Sequence, residues 1–446
     1  MHTIGTTIIR LSRRLLMVGF TLTVIYVGFL IFFPTACADE LPMEKNAAPD
    51  AHIITEVNGT LFYSYGELHK LDMNTGKSVE VMDIRPDING SVPANLTHVN
   101  GVLFFTAYEG RKIGRELWKS DEGWFGTSTS RVMDINPGSA SSLPSDLIDV
   151  NGTLFFVAND GTSGRELWRS DGSTAGTIRV MDINPGSASS LPSNLTNVNG
   201  TLFFVADDGT SGRELWKSDG SAAGTVRVMD INPGQSGSDP SALTDVSGTL
   251  FFAANDGTSG RELWKSDGSA AGTVRVMDIN PGQSGSDPSA LTDVSGTLFF
   301  AANDGASGKE LWKSDGSAAA TIRVMDIKAG KGDSSPSDLT DVSGTIFFVA
   351  DDGISGRELW KSDGSMTGTL RVKDINPGLD GSQPTALTNV HGTLFFTASH
   401  RLTSDDPRLG LRIGENVIGK GLWKSDGSAA GTVEFIALFP YWTDWC

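Results

Sequence analysis

Cysteine is nearly absent from the 446 residues, with only Cys37 and Cys446 present, so no framework of internal disulfides can hold the fold. Histidine is scarce too, six in all, and no two of them stand at a metal-ligand spacing. Positive charge is also short: 35 Lys and Arg against 53 Asp and Glu give a formal net charge of −18. A binder of phosphates needs a basic surface, so nucleic acid is excluded as a partner. The acidic surface reads as a means of keeping the protein in solution or of drawing cations and basic partners. A core of ordinary side chains must hold the fold alone, and burying one large apolar side chain is worth roughly 1.5 to 3 kcal/mol.

What the chain has instead is repetition. The phrase GTLFFVADDGTSGRELWKSDGSAAGTVRVMDINPGQSGSDPSALTDVS starts at Gly200, and variants of it start at Gly59, Gly101, Gly152, Gly248, Gly296, Gly344 and Gly392. The last six starts lie 48 residues apart, and residues 208–257 recur unchanged as 256–305. A fixed period of this length marks a repeat architecture.

Each copy reads as four short strands separated by turn chemistry. In the copy that starts at Gly200 they fall at 195–198, 201–206, 213–218 and 225–231. Asn199-Gly200 closes the first hairpin, because both residues tolerate positive φ. Leu202-Phe203-Phe204-Val205 is an unbroken apolar run, which suits a strand covered on both faces. Leu215 and Trp216 fall on opposite faces, so both faces again have something to bury. The polar turns 207–212 and 219–224 follow the second and third strands, and a Pro, Gly and Ser connector at 232–242 leads to the next copy. Repeated four-stranded antiparallel sheets with two apolar faces predict an all-β chain, an eight-bladed β-propeller. A seven-bladed propeller and a β-solenoid are the alternatives, although 48 residues is long for one solenoid coil.

The phrase GRELWKSDG followed by AGT, at residues 212–225 and its equivalents, resembles the ELWxxDGT repeat family of bacterial secreted and surface proteins. The likeness covers nearly all of residues 101–435 and implies a propeller without implying a reaction. Copy one departs from it. His69 stands where Trp is expected, and residues 68–77 are similar to the blade phrase of quinoprotein-type propellers, which implies the same architecture.

Residues 1–38 read as an export signal, with Arg10, Arg13 and Arg14 ahead of an apolar run at 15–33 and Ala36-Cys37-Ala38 at the cleavage position. An uncleaved anchor or a lipid on Cys37 are the other readings, and all three place the repeats outside the cell or in the periplasm. A linker at 39–50 precedes the propeller at 51–438, and a tail follows at 439–446.

Catalysis needs dissimilar groups converging on one point. Here the acids are periodic, so Glu214 and Asp230 read as parts of the blade. The turn 207–212 offers oxygen atoms of the kind Ca²⁺ takes, but the alternating D-x-D-x-D-G spacing is absent; no cofactor is expected, and Ca²⁺ on this turn is the alternative. The repeat breaks in copy two, where Trp124 and Phe125 occupy a turn, and in copy eight, whose insertion brings in His400, Arg401, Asp405, Asp406, Arg408 and Arg412. These eight residues are the candidate ligand-binding set, since binding groups concentrate on loops carried by a rigid scaffold. The expected function is an exported or cell-surface binding or scaffold module that recognises an extracellular glycan or protein through propeller loops. A polysaccharide-directed hydrolase or lyase, with its site in the irregular blades, is the alternative.

Overall fold

The computed structural model describes residues 54–57, 60–72, 77–86, 90–123, 126–401 and 418–438. The leader, the linker and the tail lie outside these residues. Each of the eight copies forms one four-stranded antiparallel sheet in which neighbours in sequence are neighbours in the sheet. This is the all-β, eight-bladed propeller class expected from the repeat, and simple antiparallel meanders of this kind are not solenoid coils.

In the blade that holds the phrase at Gly200, the strands are Ser193–Val198, Thr201–Asp207, Arg213–Ser218 and Val226–Arg227. The first turn is of the expected kind, with Asn199 at φ 49 and Gly200 at φ 82. Two details differ from the sequence-based expectation. The first strand begins two residues early because it carries a bulge, with the left-handed residue Asn194 at φ 53; the equivalent strand of the next blade shows the same break in register between Ser241 and Thr244. The fourth strand is far shorter than 225–231. It ends at Arg227, and farther on the amide of Ile231 bonds the carboxylate of Glu214 at 3.1 Å.

The chain divides into two compact units, and the division passes through the fourth blade. In the first unit the opening strands of blades one to four lie side by side in order, and in the second those of blades five to eight do the same. Successive sheets meet face to face. Phe251 and Leu263 of blade five, on one face, pack against Leu298, Phe300, Ala302 and Trp312 of blade six. The apolar pairs Phe-Phe and Leu-Trp thus serve two seams at once, one residue of each pair turned to either side. The recurrent tryptophan lies between blades, as its spacing predicts: Trp168, Trp312 and Trp360 are each buried against the preceding sheet.

Candidate functional site

The repeated polar residues are used by the blade itself, which blade five illustrates. Glu262 is fully buried and accepts hydrogen bonds from Ile279 N at 3.1 Å, Asn280 N at 3.3 Å and Ser286 Oγ at 2.6 Å. It therefore anchors the connector to the next blade. Burial raises its carboxyl above the ordinary range, against the opposing pull of these donors; in Glu116, the equivalent of blade two, burial raises it to about 7. Ser266 Oγ lies 2.8 Å from Thr273 Oγ1 and closes the following turn. Asp267 accepts from the amide and hydroxyl of Ser269. Gly268 is held at φ +87, where a Cβ would stand 3.0 Å from the ring of Phe203, so this turn fits against the neighbouring blade only as glycine.

The turn considered for Ca²⁺ is self-satisfied. Asp256 Oδ1 accepts from Thr258 N, Thr258 Oγ1 and Ser259 N, while Oδ2 lies 3.3 Å from Arg275 Nη1. Burial alone would raise this carboxyl, but the amides and the arginine outweigh it and hold the group below its usual range. No group of three or more His, Cys, Asp or Glu side chains suited to a metal occurs among the described residues.

The seam between blades seven and eight is built differently. Four positions depart together from the repeat: Lys373 stands where copies five and six have Met277 and Met325, His400 where copy seven has Asp352, Gly421 where it has Glu358, and Glu434 where it has Arg371. The departures fit one another. Glu358 of blade seven anchors the connector into blade eight, whereas in blade eight the carboxylate comes from the fourth strand. A Cβ on Gly421 would collide with the Glu434 carboxylate, so glycine there is what admits it. Glu434 Oε1 lies 3.7 Å from His400 Nε2, with the two side chains 10% and 13% exposed. The His400 ring meets Trp423 edge-on at 5.7 Å. Lys373 Nζ, from blade seven, bonds Thr432 O at 2.8 Å and sits 5.8 Å over the Trp423 ring. Ammonium, imidazole, carboxylate and indole are thus gathered at one seam. Elsewhere the same positions carry an Arg–Asp pair, as in Arg371–Asp352 at 3.4 Å.

Blade one breaks the pattern in a related way. His69 stacks on Tyr63 at 5.3 Å, Ser78 Oγ lies 3.5 Å from His69 Nδ1 and bonds the Tyr63 hydroxyl, and Glu80 stands opposite His69 in register.

Of the candidate residues that the structure describes, His400 and Arg401, His400 joins this cluster. Arg401, its neighbour, is exposed. Asp405, Asp406, Arg408, Arg412, Trp124 and Phe125 lie outside the described residues. In blade two the third and fourth strands, Arg115–Gly123 and Gly126–Met133, extend into residues expected to form a turn. Sequence reasoning missed Lys373, Gly421 and Glu434, although their signal was present. Comparing copies position by position shows Arg at 131, 179, 227, 275, 323 and 371, and Glu at 80 and 434.

No family model matches the chain, and no curated protein matches it. Solved structures do resemble it. A puromycin hydrolase matches over 79% of this chain and 58% of its own, at 13% identity and a TM-score of 0.40. A puromycin-hydrolyzing peptidase from Mycobacterium tuberculosis matches over 78% and 57%, at 9% identity and 0.40. Prolyl oligopeptidase B from Galerina marginata matches over 78% and 50%, at 11% identity and 0.40. The chain spans between half and three fifths of the length of these structures, and at such identities the likeness concerns fold. The expectation of a loop-borne glycan- or protein-recognition module, with a polysaccharide hydrolase or lyase as alternative, is corrected here. The structures of similar build are those of peptidases. His400, on the strand Thr393–Arg401, lies in a seam between blades.

Proposed function

We propose that the chain is a non-catalytic propeller module that works with peptides, and that it engages them at the seam between its seventh and eighth blades. The observation that carries this reading is the set of four matched departures, Lys373, His400, Gly421 and Glu434, around Trp423. A peptide offers backbone amides, apolar side chains and terminal charges of both signs. The seam offers an ammonium, a carboxylate, an imidazole and an indole edge, a few polar groups converging beside apolar walls. The non-catalytic part rests on the repeat, whose acids and hydroxyls are spent on turns, connectors and ion pairs. Puromycin and prolyl peptides are the substrates to try first, since they are what the proteins of similar build are named for; fold by itself does not transfer an activity.

The test is calorimetric titration of the intact chain with puromycin and with short proline-containing peptides, beside a chain carrying Lys373→Met, His400→Asp, Gly421→Glu and Glu434→Arg. The four changes restore the repeat's own phrase. Binding by the native chain, its loss in the restored chain at unchanged melting temperature, and cleavage by neither is the expected result. Equal binding by both chains, or hydrolysis by the chain alone, overturns the reading.

Membership of the ELWxxDGT repeat family belongs to the same proposal, supported by the recurring phrase, and so does export, supported by Arg10, Arg13, Arg14 and the apolar run behind them. Among the described residues no helix is long and apolar enough to cross a membrane. N-terminal sequencing of the protein recovered from medium and from membranes distinguishes cleavage after Ala38 from an anchored or lipidated form.

A further inference from the structure

In blade three a row of side chains crosses three strands, Phe156 opposite Trp168 and Trp168 opposite Arg179 in register. The two rings pack on the blade before, and the arginine answers an acid of its own blade, Asp160, at 3.4 Å. Blade one holds the same row with every member replaced: Tyr63 opposite His69, and His69 opposite Glu80. A fourth change accompanies them. Ser78 stands where blade three has Thr177, whose hydroxyl bonds Ser170, and blade one has Leu71 at that partner position. Ser78 Oγ turns to the rings instead, bonding the Tyr63 hydroxyl and lying 3.5 Å from His69 Nδ1.

The charge at the end of the row is reversed. The second and third strands of blade one, Thr60–Tyr65 and Glu67–Asp72, are joined through Gly66 alone, so the turn that carries Asp160 in blade three is missing. The acid and the guanidinium of the regular pair are both gone, and a carboxylate stands where the guanidinium stood. Among the described residues that carboxylate has no ion-pair partner, whereas Glu434, at the same position of blade eight, faces His400 at 3.7 Å. The row is also open. Phe156 and Trp168 are 0% and 6% exposed, while Tyr63 and His69 are half-buried and Ser78 and Glu80 are exposed.

Tyr63 and His69 stack at 5.3 Å and 21°, and the strand order puts Glu80 on the side of His69 away from Tyr63. Directly opposite residues stand about 5 Å apart at Cβ, so the carboxylate borders the imidazole. An aromatic face beside a carboxylate suits a guanidinium, a planar cation that stacks on a ring and gives two parallel N–H bonds to a carboxylate. An ammonium is a compact charge without that plane, and an anion is repelled by Glu80. We propose that Tyr63, His69, Ser78 and Glu80 form a site for an arginine side chain presented by a partner protein. The partner supplies to blade one the cation that a regular blade supplies to itself. This site goes beyond the seam between blades seven and eight and does not depend on it.

The test follows the ring signals of labelled histidine in the full chain during titration with the N-acetyl amides of arginine, of lysine and of citrulline, the neutral analogue of arginine. The chain has six histidines, and the signal lost in His69→Gln is that of His69. Arginine amide should move this signal to saturation, lysine amide should bind more weakly, and citrulline amide should leave it unmoved. Glu80→Gln, a change at an exposed position, should weaken arginine binding about tenfold at unchanged melting temperature. Glu80→Arg, which restores the residue of the regular blades, should abolish it. The chain restored at 373, 400, 421 and 434 should bind arginine amide as the native chain does. A His69 signal that stays still, citrulline amide that binds as tightly as arginine amide, or binding that survives Glu80→Arg overturns the proposal, and so does binding lost in the chain with the restored seam.

Discussion

The seam between blades six and seven and the seam between blades seven and eight use the same positions in opposite ways. In the first, Met325 lies beside Trp360, Arg371 pairs with Asp352 at 3.4 Å, and Glu358 holds the connector through Ile375, Asn376 and Ser382. In the second, Lys373 lies over Trp423, His400 faces Glu434, and the anchoring position is Gly421. In the first arrangement Arg371, Asp352 and Glu358 find their partners within the repeat. The second gathers a lysine, a histidine and a glutamate where the fold requires none of them. A repeat thus tells structure from function by contrast, because what recurs is explained by the blade and what departs in a coordinated way is not.

The largest effect expected on the regular side is at the tryptophan. Trp312→Ala removes a side chain buried between two sheets, and such truncations cost about 3 to 5 kcal/mol; denaturant unfolding should record the loss with peptide binding intact. Trp423→Ala should cost as much stability and abolish binding as well. Next comes the anchor. Glu262→Ala leaves the Ile279 and Asn280 amides without their acceptor, at about 1 to 3 kcal/mol for each stranded group. Glu262→Gln keeps one acceptor oxygen and should cost less, which unfolding curves of the two variants compare directly.

A pH dependence follows from the same anchors. Burial raises the carboxyls of Glu116, Glu166, Glu214, Glu262, Glu310 and Glu358, that of Glu116 to about 7. The folded chain therefore binds these protons more tightly than the unfolded chain. Their contribution is full below the ordinary glutamate range and is lost as pH rises through the folded value. Asp160, Asp256 and Asp304 are shifted the other way: burial acts to raise them, but turn amides and the neighbouring arginine prevail and lower them. Their contribution is lost in acid, below the ordinary aspartate range. The melting temperature should accordingly peak in mild acid and fall toward pH 8. A flat profile over that interval would show that the buried anchors keep ordinary values. The smallest effect belongs to the regular ion pairs. Arg323→Ala removes a half-buried pair with Asp304 at 3.2 Å and should cost no more than about 1 kcal/mol by denaturant unfolding.

The fold was legible because its signals are local and repeated. Asn199-Gly200 fixes a turn, the adjacent apolar pairs mark sheets covered on both faces, and the period counts the blades. The end of the fourth strand was not legible: beyond it the amide of Ile231 is taken by Glu214 from another strand, a contact set by tertiary structure. The site was half legible. His400 drew notice as a rare residue in an irregular copy, while Gly421 and Glu434 are individually ordinary. Their meaning lies in the carboxylate filling the space a side chain at 421 would occupy, and that is seen only once the strands are paired.

The claim that function resides where the repeat is broken is tested most directly by the indole N–H spectrum of the labelled chain during titration with a prolyl peptide. The account predicts that the Trp423 resonance moves while those of Trp264, Trp312 and Trp360 hold still. Movement of the regular tryptophans with Trp423 unmoved would contradict it.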